Sequence, residues 1–236
     1  MTNEGRDRDR FSLIGHAALP FMCPLTEDEL CTLLDHAQLV RGATSLDLGG
    51  GRADLAALLA RRHGLRATSV DRSAQATEAA RTRTQGLDVT LVTSDAAPHV
   101  VTLPSRSLAL ASCVGALHAF GTDTRGWREA LTALTRVAER VLVGDLVATS
   151  RAASEAFEVA ELSAIGPLVS GARASLLLDA ARVGAYERAW CASVAAHVAS
   201  HPGDPRNAWA RARLAWTNEP SLQPARTQLA FAVYLL

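Results

Sequence analysis

The sequence contains no lysine, and all 24 of its basic residues are arginine. This absence excludes enzymes that form a Schiff base through a lysine, and it excludes phosphate-binding loops that need a lysine beside the nucleotide. The formal net charge is zero and no basic stripe is present, which argues against a nucleic-acid partner. The few cysteines form neither a CxxC pair nor a metal-binding spacing, which predicts free thiols and no metal site: Cys23, Cys31, Cys113 and Cys191.

Long hydrophobic runs are also missing, so the sequence predicts no membrane-spanning segment. The first ten residues are polar and charged, unlike a signal peptide, and we expect them to be a frayed leader on a cytoplasmic protein. A chain of 236 residues with 48% hydrophobic residues is long enough to bury one substantial core. We therefore expect a single domain over residues 1–236.

A glycine turn organises the sequence, in the stretch TSLDLGGGRADLAALLA from Thr44 to Ala60. Strand formers precede the three glycines and an Ala/Leu-rich helical segment follows them. This order directs backbone N–H groups and the positive end of a helix dipole at a ligand. Asp54 occupies the position where a dinucleotide-binding turn needs Gly or Ala. An acidic, glycine-rich turn favours a cationic, phosphate-free ligand such as S-adenosylmethionine.

Acidic residues end or follow three further predicted strands. Asp71 ends RATSVD, roughly 20 residues beyond the glycine turn, where an acid commonly accepts hydrogen bonds from a ribose. Asp95 ends VTLVTSD, and Asp145 lies in the fifth strand, Arg140 to Leu146. Between them, Leu108 to Ala116 is a continuous small-apolar strand, which is typical of burial on both faces. The carboxyl ends of such strands form the crevice where open parallel sheets bind ligands.

The motif LDLGGG resembles the first motif of class I S-adenosylmethionine-dependent methyltransferases, which usually reads LDLGCG or LDLGSG. The segment FSLIGHAALPFMCPLTEDEL and the run LHAFG are similar to a bacterial branch that methylates small molecules. The resemblance extends from Phe11 to Leu236. It implies an α/β fold: a Rossmann-like, mixed seven-stranded sheet with helices on both faces and an antiparallel last strand. It also implies an N-terminal helical lid over residues 11–40 and cap helices over residues 150–183.

The resemblance also implies roles for individual residues. The cofactor S-adenosylmethionine is expected to contact Asp47, Gly49, Gly50, Gly51, Asp71, Arg72, Asp95, Ala96 and Cys113. The methyl acceptor is expected to contact His16, Phe21, Met22, Phe120, Tyr186 and Trp190. His118 is the candidate general base, and Asp145 is a second catalytic candidate that could bind an amine or hydroxyl of the acceptor. Each residue has a structural alternative. Asp71 could be a solvated strand end, Asp95 could cap a loop, Asp145 could have a structural capping role, and His118 could make a hydrogen bond within its loop. The lid residues and the tryptophans could be ordinary packing.

The last third of the sequence is less decisive. Helical patterns cover Ser154 to Ile165 and Ala172 to Val183, and a further helix is predicted over Arg206 to Trp216. Residues 185–200 fit either a short strand or a helix, and the final strand is predicted over Gln228 to Leu236. Leu146 to Ala148 replace the aromatic and proline residues that many family members have after the fifth strand.

Together these patterns predict an S-adenosylmethionine-dependent methyltransferase that acts on an O, N or S nucleophile of a small molecule, with no nucleic-acid or membrane partner. Two alternatives remain. One is an enzyme that cyclises the methionine moiety and releases methylthioadenosine, and the other is a binding module without turnover. A homodimer is compatible with the sequence, which leaves the oligomeric state open.

Overall fold

The computed structural model describes residues 3–236, which form a central β-sheet surrounded by helices. The strands are β1 (Thr44–Leu48), β2 (Arg66–Asp71), β3 (Val89–Thr93), β4 (Leu108–Val114), β5 (Ala138–Ala148), β6 (Ala160–Glu161), β7 (Ala174–Leu178) and β8 (Leu229–Leu235). The helices are α1 (Asn3–His16), α2 (Glu27–Asp35), α3 (Asp54–His63), α4 (Ala74–Thr84), α5 (Ala96–Val101), α6 (Asp123–Val137), α7 (Arg151–Phe157), α8 (Leu162–Ile165), α9 (Ala180–Ser200), α10 (Asn207–Thr217) and α11 (Gln223–Arg226).

The sheet has the order β3-β2-β1-β4-β5-β8-β7, with the two-residue β6 paired to the end of β5. Strands β1 to β5 are parallel, and β8 is inserted antiparallel between β5 and β7. The strand order reverses at β1 and β4, whose carboxyl ends therefore border a crevice suited to ligands. The predicted mixed Rossmann-like sheet with an antiparallel last strand is confirmed.

Hydrophobic side chains alternate between two cores, one on each face of the sheet. Within β5, Val141 and Val143 point into the core formed with α6, whereas Leu142 points into the core formed with α2 and α3. Trp127 on α6 is the largest fully buried side chain of the chain's described part. The continuous apolar runs of β4 and β5 arise because both faces of these central strands are covered.

The predicted helix over Ala172 to Val183 is wrong, because residues 174–178 form β7. Its Leu176 pairs with Val233 of β8, and burial along β7 alternates as in a strand with one covered face. Asp179 then caps α9 by accepting a hydrogen bond from the backbone N–H of Arg182 at 2.9 Å. Helix α9 continues to Ser200, so residues 185–200 are helical. Pairing with a neighbouring strand overrides the local helix preference of β7.

The expected frayed leader is also wrong from Asn3 onward, because α1 begins there. Helix α1 packs against α9 and α10, and its Phe11 is fully buried with its ring 5.8 Å from that of Trp209. The side chain of Arg10 forms an ion pair with Asp204 at 3.3 Å. Helix α2 begins at the predicted cap, since Thr26 and Glu29 form a reciprocal capping box. Within residues 3–236, no helix has the length and apolar character that crossing a bilayer requires.

Candidate functional site

The glycine turn follows β1 and is fastened to β2 by its backbone. The N–H groups of Gly49 and Gly50 donate to the carbonyl of Val70 at 2.8 and 3.1 Å. Gly49 and Gly51 have φ angles of 68° and 56°, in the left-handed region that favours glycine. A Cβ on Gly49 would overlap the Cβ of Ala116, and one on Gly51 would overlap the sulfur of Met22. The turn is therefore restricted to glycine at both positions.

The middle glycine has a separate explanation. A Cβ on Gly50 would overlap the hydroxyl oxygen of Ser69, which projects from the neighbouring strand β2. Ser69 therefore fills the space into which the commoner Cys or Ser of this motif would extend. In this chain the side chain of Ser69 on β2 thus takes the place of the side chain that LDLGCG has at the position of Gly50.

Asp71 connects the glycine turn to the end of β2. One carboxylate oxygen accepts a hydrogen bond from the N–H of Gly51 and the other from the N–H of Ser73, each at 2.8 Å. Burial raises the pKa of Asp71, and these two hydrogen bonds oppose that shift. A carboxylate offers about four lone-pair sites, so each oxygen can still accept a second hydrogen bond.

Asp47 is a second, fully buried carboxylate beneath the turn. It accepts a hydrogen bond from the hydroxyl of Ser112 on β4 at 2.8 Å. Burial, together with the nearby charges of Asp71 and Asp54, raises the pKa of Asp47 to about 7, against the opposing effect of the hydrogen bond from Ser112. An acid that is half-protonated near neutral pH responds strongly to a cation placed beside it.

Asp95, for which loop capping was the structural alternative, lies immediately before α5. Its side chain makes no capping hydrogen bond and is exposed toward the cavity, so both oxygens are available as acceptors. Ala96 follows it in the cavity wall, and Arg72 lines the wall from the loop after β2. The Arg72 guanidinium lies 4.0 Å from the carboxylate of Asp9 on α1.

A buried arginine that the sequence analysis did not single out fastens the N-terminal segment to the glycine turn. Arg52 donates to the backbone carbonyls of His16 and Leu19 at 2.6 and 3.0 Å. It also forms an ion pair at 2.9 Å with Asp54, whose other oxygen lies 2.9 Å from Arg83. This pairing explains an acidic residue at Asp54, where a dinucleotide-binding turn has a small one. The only signal in the sequence is the spacing of Arg52 and Asp54 within GGGRAD.

The N-terminal lid is built around His16. Its imidazole lies 2.6 Å from the backbone carbonyl of Ser12 and 2.6 Å from the hydroxyl of Tyr186. Burial lowers the pKa of His16 to about 4, so the ring is neutral at pH 7. His16, Phe21 and Met22 line the cavity as predicted for the lid. Tyr186 instead lies behind the wall, where it supports His16.

Four predicted contacts are corrected by their positions. Cys113 is fully buried in the core on β4, and the wall at this point is formed by the next residues along the chain. Phe120 packs against the same core, and Trp190 packs behind the lid beside His16. The Asp145 carboxylate accepts hydrogen bonds from the N–H groups of Leu117 and Leu146, both at 2.8 Å. Asp145 therefore fixes a loop outside the cavity wall.

His118 lies in the cavity wall, as the sequence predicts. It belongs to the single turn of 3-10 helix Leu117–Ala119 that follows β4, and its side chain is exposed toward the cavity. The hydrogen bond from Leu117 to Asp145 holds the start of this turn.

These residues surround a cavity of about 1020 Å³. Its wall combines the glycine turn, the loops after β2 to β4, helix α1 and the lid, with Phe157 of α7 and Arg213 of α10 completing it. Five carboxylates line it: Asp9 on α1, and Asp47, Asp54, Asp71 and Asp95. The rim at the carboxyl ends of β1 to β3 is acidic, and the N–H groups of the glycine turn are already bonded to Val70 and Asp71. This arrangement suits a cationic nucleoside better than a phosphate.

The fold is that of the class I S-adenosylmethionine-dependent methyltransferases. Residues 46–140 match the family model described as a methyltransferase domain. This match covers β1 to the start of β5, and therefore every strand that borders the acidic rim. This part of the chain is therefore similar to a methyltransferase domain.

Solved structures with the same fold extend the likeness over almost the whole chain. A methyltransferase from Thiobacillus denitrificans, crystallised with S-adenosyl-L-homocysteine, is 25% identical with a TM-score of 0.77, covering 94% of this chain and 96% of that one. YjhP from E. coli is 22% identical with a TM-score of 0.79, covering 96% and 98% of the two chains. A methyltransferase from Geobacter sulfurreducens with the same ligand is 23% identical with a TM-score of 0.75, covering 96% of each. A comparison with curated protein sequences gives no match.

Proposed function

We propose that the cavity binds S-adenosylmethionine at its acidic rim and that the enzyme methylates an O, N or S atom of a small molecule. The observation that carries the cofactor assignment is the geometry of Asp71. Its two oxygens each hold one backbone N–H of the glycine turn or the following loop, and each keeps a lone pair for a hydroxyl donor. A ribose supplies two such donors.

The other residues of the rim fit the rest of this cofactor. Asp95 and the N–H of Ala96 lie where a carboxylate and a donor can hold the amino edge of adenine. Asp47 lies beneath the turn, where a carboxylate can balance the ammonium and sulfonium charges. Because Gly49 and Gly51 lack a Cβ, Ala116 and Met22 pack directly against the backbone of the turn and narrow the cavity around the bound cofactor.

When bound, S-adenosylmethionine supplies an electrophilic methyl group for an in-line displacement. The residues of this chain then have three tasks: to align the acceptor, to exclude water and to take a proton where the acceptor must lose one. The lid and α1 cover the cavity, and His118 is the proton acceptor on the wall after β4. Asp145 positions the loop that carries His118 and also interacts electrostatically with His118.

The size and charge of the site support a small acceptor. A cavity of about 1020 Å³ lies at the upper end of the range of roughly 300–1,000 Å³ that is typical of small-molecule sites. It therefore has room for a cofactor together with a second small molecule. The net charge of zero supports neither a nucleic-acid substrate nor an acidic surface as the target.

Replacing Asp71 with asparagine is expected to weaken S-adenosylhomocysteine binding by about 10- to 100-fold. An amide keeps the size of the side chain but loses the charge that strengthens hydrogen bonds from hydroxyls. Isothermal calorimetry measures the two dissociation constants. Glu78→Gln on α4 is the matched control, because Glu78 is exposed and pairs only with Arg81 among the described residues. If Asp71→Asn bound S-adenosylhomocysteine as tightly as the wild type, the proposal that the acidic rim binds the cofactor would be wrong.

Mass spectrometry of the nucleoside product separates methyl transfer from the two alternatives. Incubation of the wild type with S-adenosylmethionine and a metabolite extract is expected to yield S-adenosylhomocysteine and one methylated small molecule. Methylthioadenosine in its place would identify intramolecular cyclisation. Binding without consumption of the cofactor would identify a module without turnover.

Affinity for the cofactor product should rise with pH through neutrality. Free Asp47 has a raised pKa of about 7, and a bound ammonium favours its ionised form, so the complex has a lower pKa than the free protein. Binding is then weak below both pKa values and reaches its plateau above pH 7. Between pH 5.5 and 7.5 we expect the affinity for S-adenosylhomocysteine to increase by roughly 10-fold or more.

Asp47→Asn keeps an acceptor for the hydroxyl of Ser112 and cannot titrate. Calorimetry of this variant over the same range should give a nearly flat profile, which also reports any titration of the ligand itself. A wild-type profile as flat as that of the variant would show that Asp47 does not face the cation.

A further inference from the structure

The cavity wall has a second end that the cofactor assignment does not use. Phe157 is the last residue of α7, which follows β5, and Arg213 lies on α10. The aspartates of the rim lie instead at the ends of β1 to β3, on the other side of the point where the strand order reverses. Phe157 and Arg213 therefore face the part of the cavity that remains for the methyl acceptor.

Among the described residues, Arg213 has no carboxylate within ion-pair distance, although the charge of Glu187 acts on it from further away. Its guanidinium carbon lies 4.1 Å from the centre of the Trp216 ring, and none of the described residues offers it an ion pair or a side-chain hydrogen bond. Stacking on an aromatic face orients a guanidinium while leaving its N–H donors free. Its position is therefore fixed by the ring and its hydrogen-bonding capacity is unused.

The neighbouring arginine serves as an internal comparison. Arg226 stacks on Phe157 and Trp216 at 5.1 and 4.8 Å, but it also forms an ion pair with Glu187. Its charge is thus neutralised within the fold. The rings of Phe157 and Trp216 meet edge to face at 5.8 Å and complete an apolar support beside the two arginines.

The other two arginines of the cavity wall, Arg8 and Arg72, both have a carboxylate partner. Asp9 lies 3.8 Å from Arg8 and 4.0 Å from Arg72, and Asp54 pairs with Arg52 and Arg83. Partial burial lowers the pKa of Arg213, which means that its environment opposes a positive charge that the guanidinium nevertheless keeps at pH 7. An anion placed beside Arg213 would relieve this cost.

We propose that Arg213 binds an anionic head group of the methyl acceptor, a carboxylate or a phosphate, and that Phe157 contacts the acceptor's apolar body. This inference rests on the proposed function and narrows the substrate class to small molecules with one anionic group and a flat or hydrocarbon part. The cation of the cofactor and the anion of the acceptor then lie at opposite ends of one cavity. Each end rejects the charge of the other ligand.

The test uses three small probes added to protein saturated with S-adenosylhomocysteine: phenylacetate, phenyl phosphate and the neutral phenylacetamide. Calorimetry should show that at least one anion binds about 10-fold or more tightly than the amide. Arg213→Gln should reduce this preference to about 2-fold or less, and Arg213→Lys should keep part of it because the charge remains.

Arg211→Gln is the matched control, since Arg211 is exposed on the same helix and donates only to the carbonyl of Pro202 among the described residues. The Arg211→Gln variant should bind the anionic probes in preference to phenylacetamide by the same factor as the wild type. The proposal is overturned if the amide binds as tightly as both anions, if no probe binds, or if Arg213→Gln keeps the preference. Affinity for S-adenosylhomocysteine is measured first, so a failure of the cofactor assignment is recognised separately.

Discussion

Replacing His118 with alanine is expected to lower turnover by about 10²–10⁴-fold, the typical contribution of a positioned general base. The affinity for S-adenosylhomocysteine should stay within a few-fold of wild type. His118 lies on the turn after β4, whereas Asp71 and Asp95 end or follow β2 and β3. The loss should therefore appear in kcat rather than in cofactor binding.

The pH dependence distinguishes a base from a residue that only orients the acceptor. At saturating cofactor, where the titration of Asp47 no longer limits binding, kcat of the wild type should fall at acid pH and this fall should vanish in His118→Ala. A single lost hydrogen bond would cost only about 1 kcal/mol and leave the profile unchanged. His36→Ala is the control, because His36 is exposed at the end of α2, outside the cavity wall. Wild-type turnover of His118→Ala across pH 6 to 9 would rule out both roles.

Replacing Arg52 with alanine is expected to lower the free energy of unfolding by about 3–5 kcal/mol, the usual cost of removing one partner of a buried ion pair. The variant leaves the carbonyls of His16 and Leu19 without their donor and removes one of two cations from Asp54. Urea unfolding of the empty protein measures this loss. Hydrogen exchange should show that residues 11–25 lose protection more than β1 to β5.

Arg83→Ala distinguishes the hydrogen bonds that Arg52 donates to the lid from its charge interaction with Asp54. Arg83 pairs with the same carboxylate, but its side chain is 40% exposed and it contacts no lid carbonyl among the described residues. Its loss should cost at most about 1 kcal/mol, because solvent screens an exposed partner. Equal destabilisation by Arg52→Ala and Arg83→Ala would mean that the hydrogen bonds to the lid contribute nothing.

The parallel half of the fold could be predicted from the sequence because its signals are local. Three short segments each show a strand pattern together with the residue at which the strand ends: LDLGGG, RATSVD and LALASCV. They contain the end of β1, all of β2 and all of β4, respectively. Asp71, Asp95 and His118 follow from the same reasoning, since residues at the carboxyl ends of parallel strands converge on one edge.

The parts that could not be predicted depend on partners distant in the sequence. The segment of β7 has a helical composition and becomes a strand because β8 offers it an edge. The buried role of Arg52 depends on two carbonyls more than 30 residues away, with sequence separations of 36 and 33. Cys113 lies on the predicted strand, but its side chain points into the core and not into the cavity. A shift of one residue along a strand reverses the direction of the side chain.

Helix α1 makes contacts that span almost the full length of the chain. The side chains of Arg10 and Asp204 are 194 positions apart, and those of His16 and Tyr186 are 170 apart. Contacts between such distant residues close large loops and form late, after the more local pairings of β1 to β4. We therefore expect the cavity to be the last part of the molecule to assemble. A ligand held between α1 and the glycine turn binds only the completely folded chain. The fraction of the protein in which α1 is packed in place therefore rises with the concentration of that ligand.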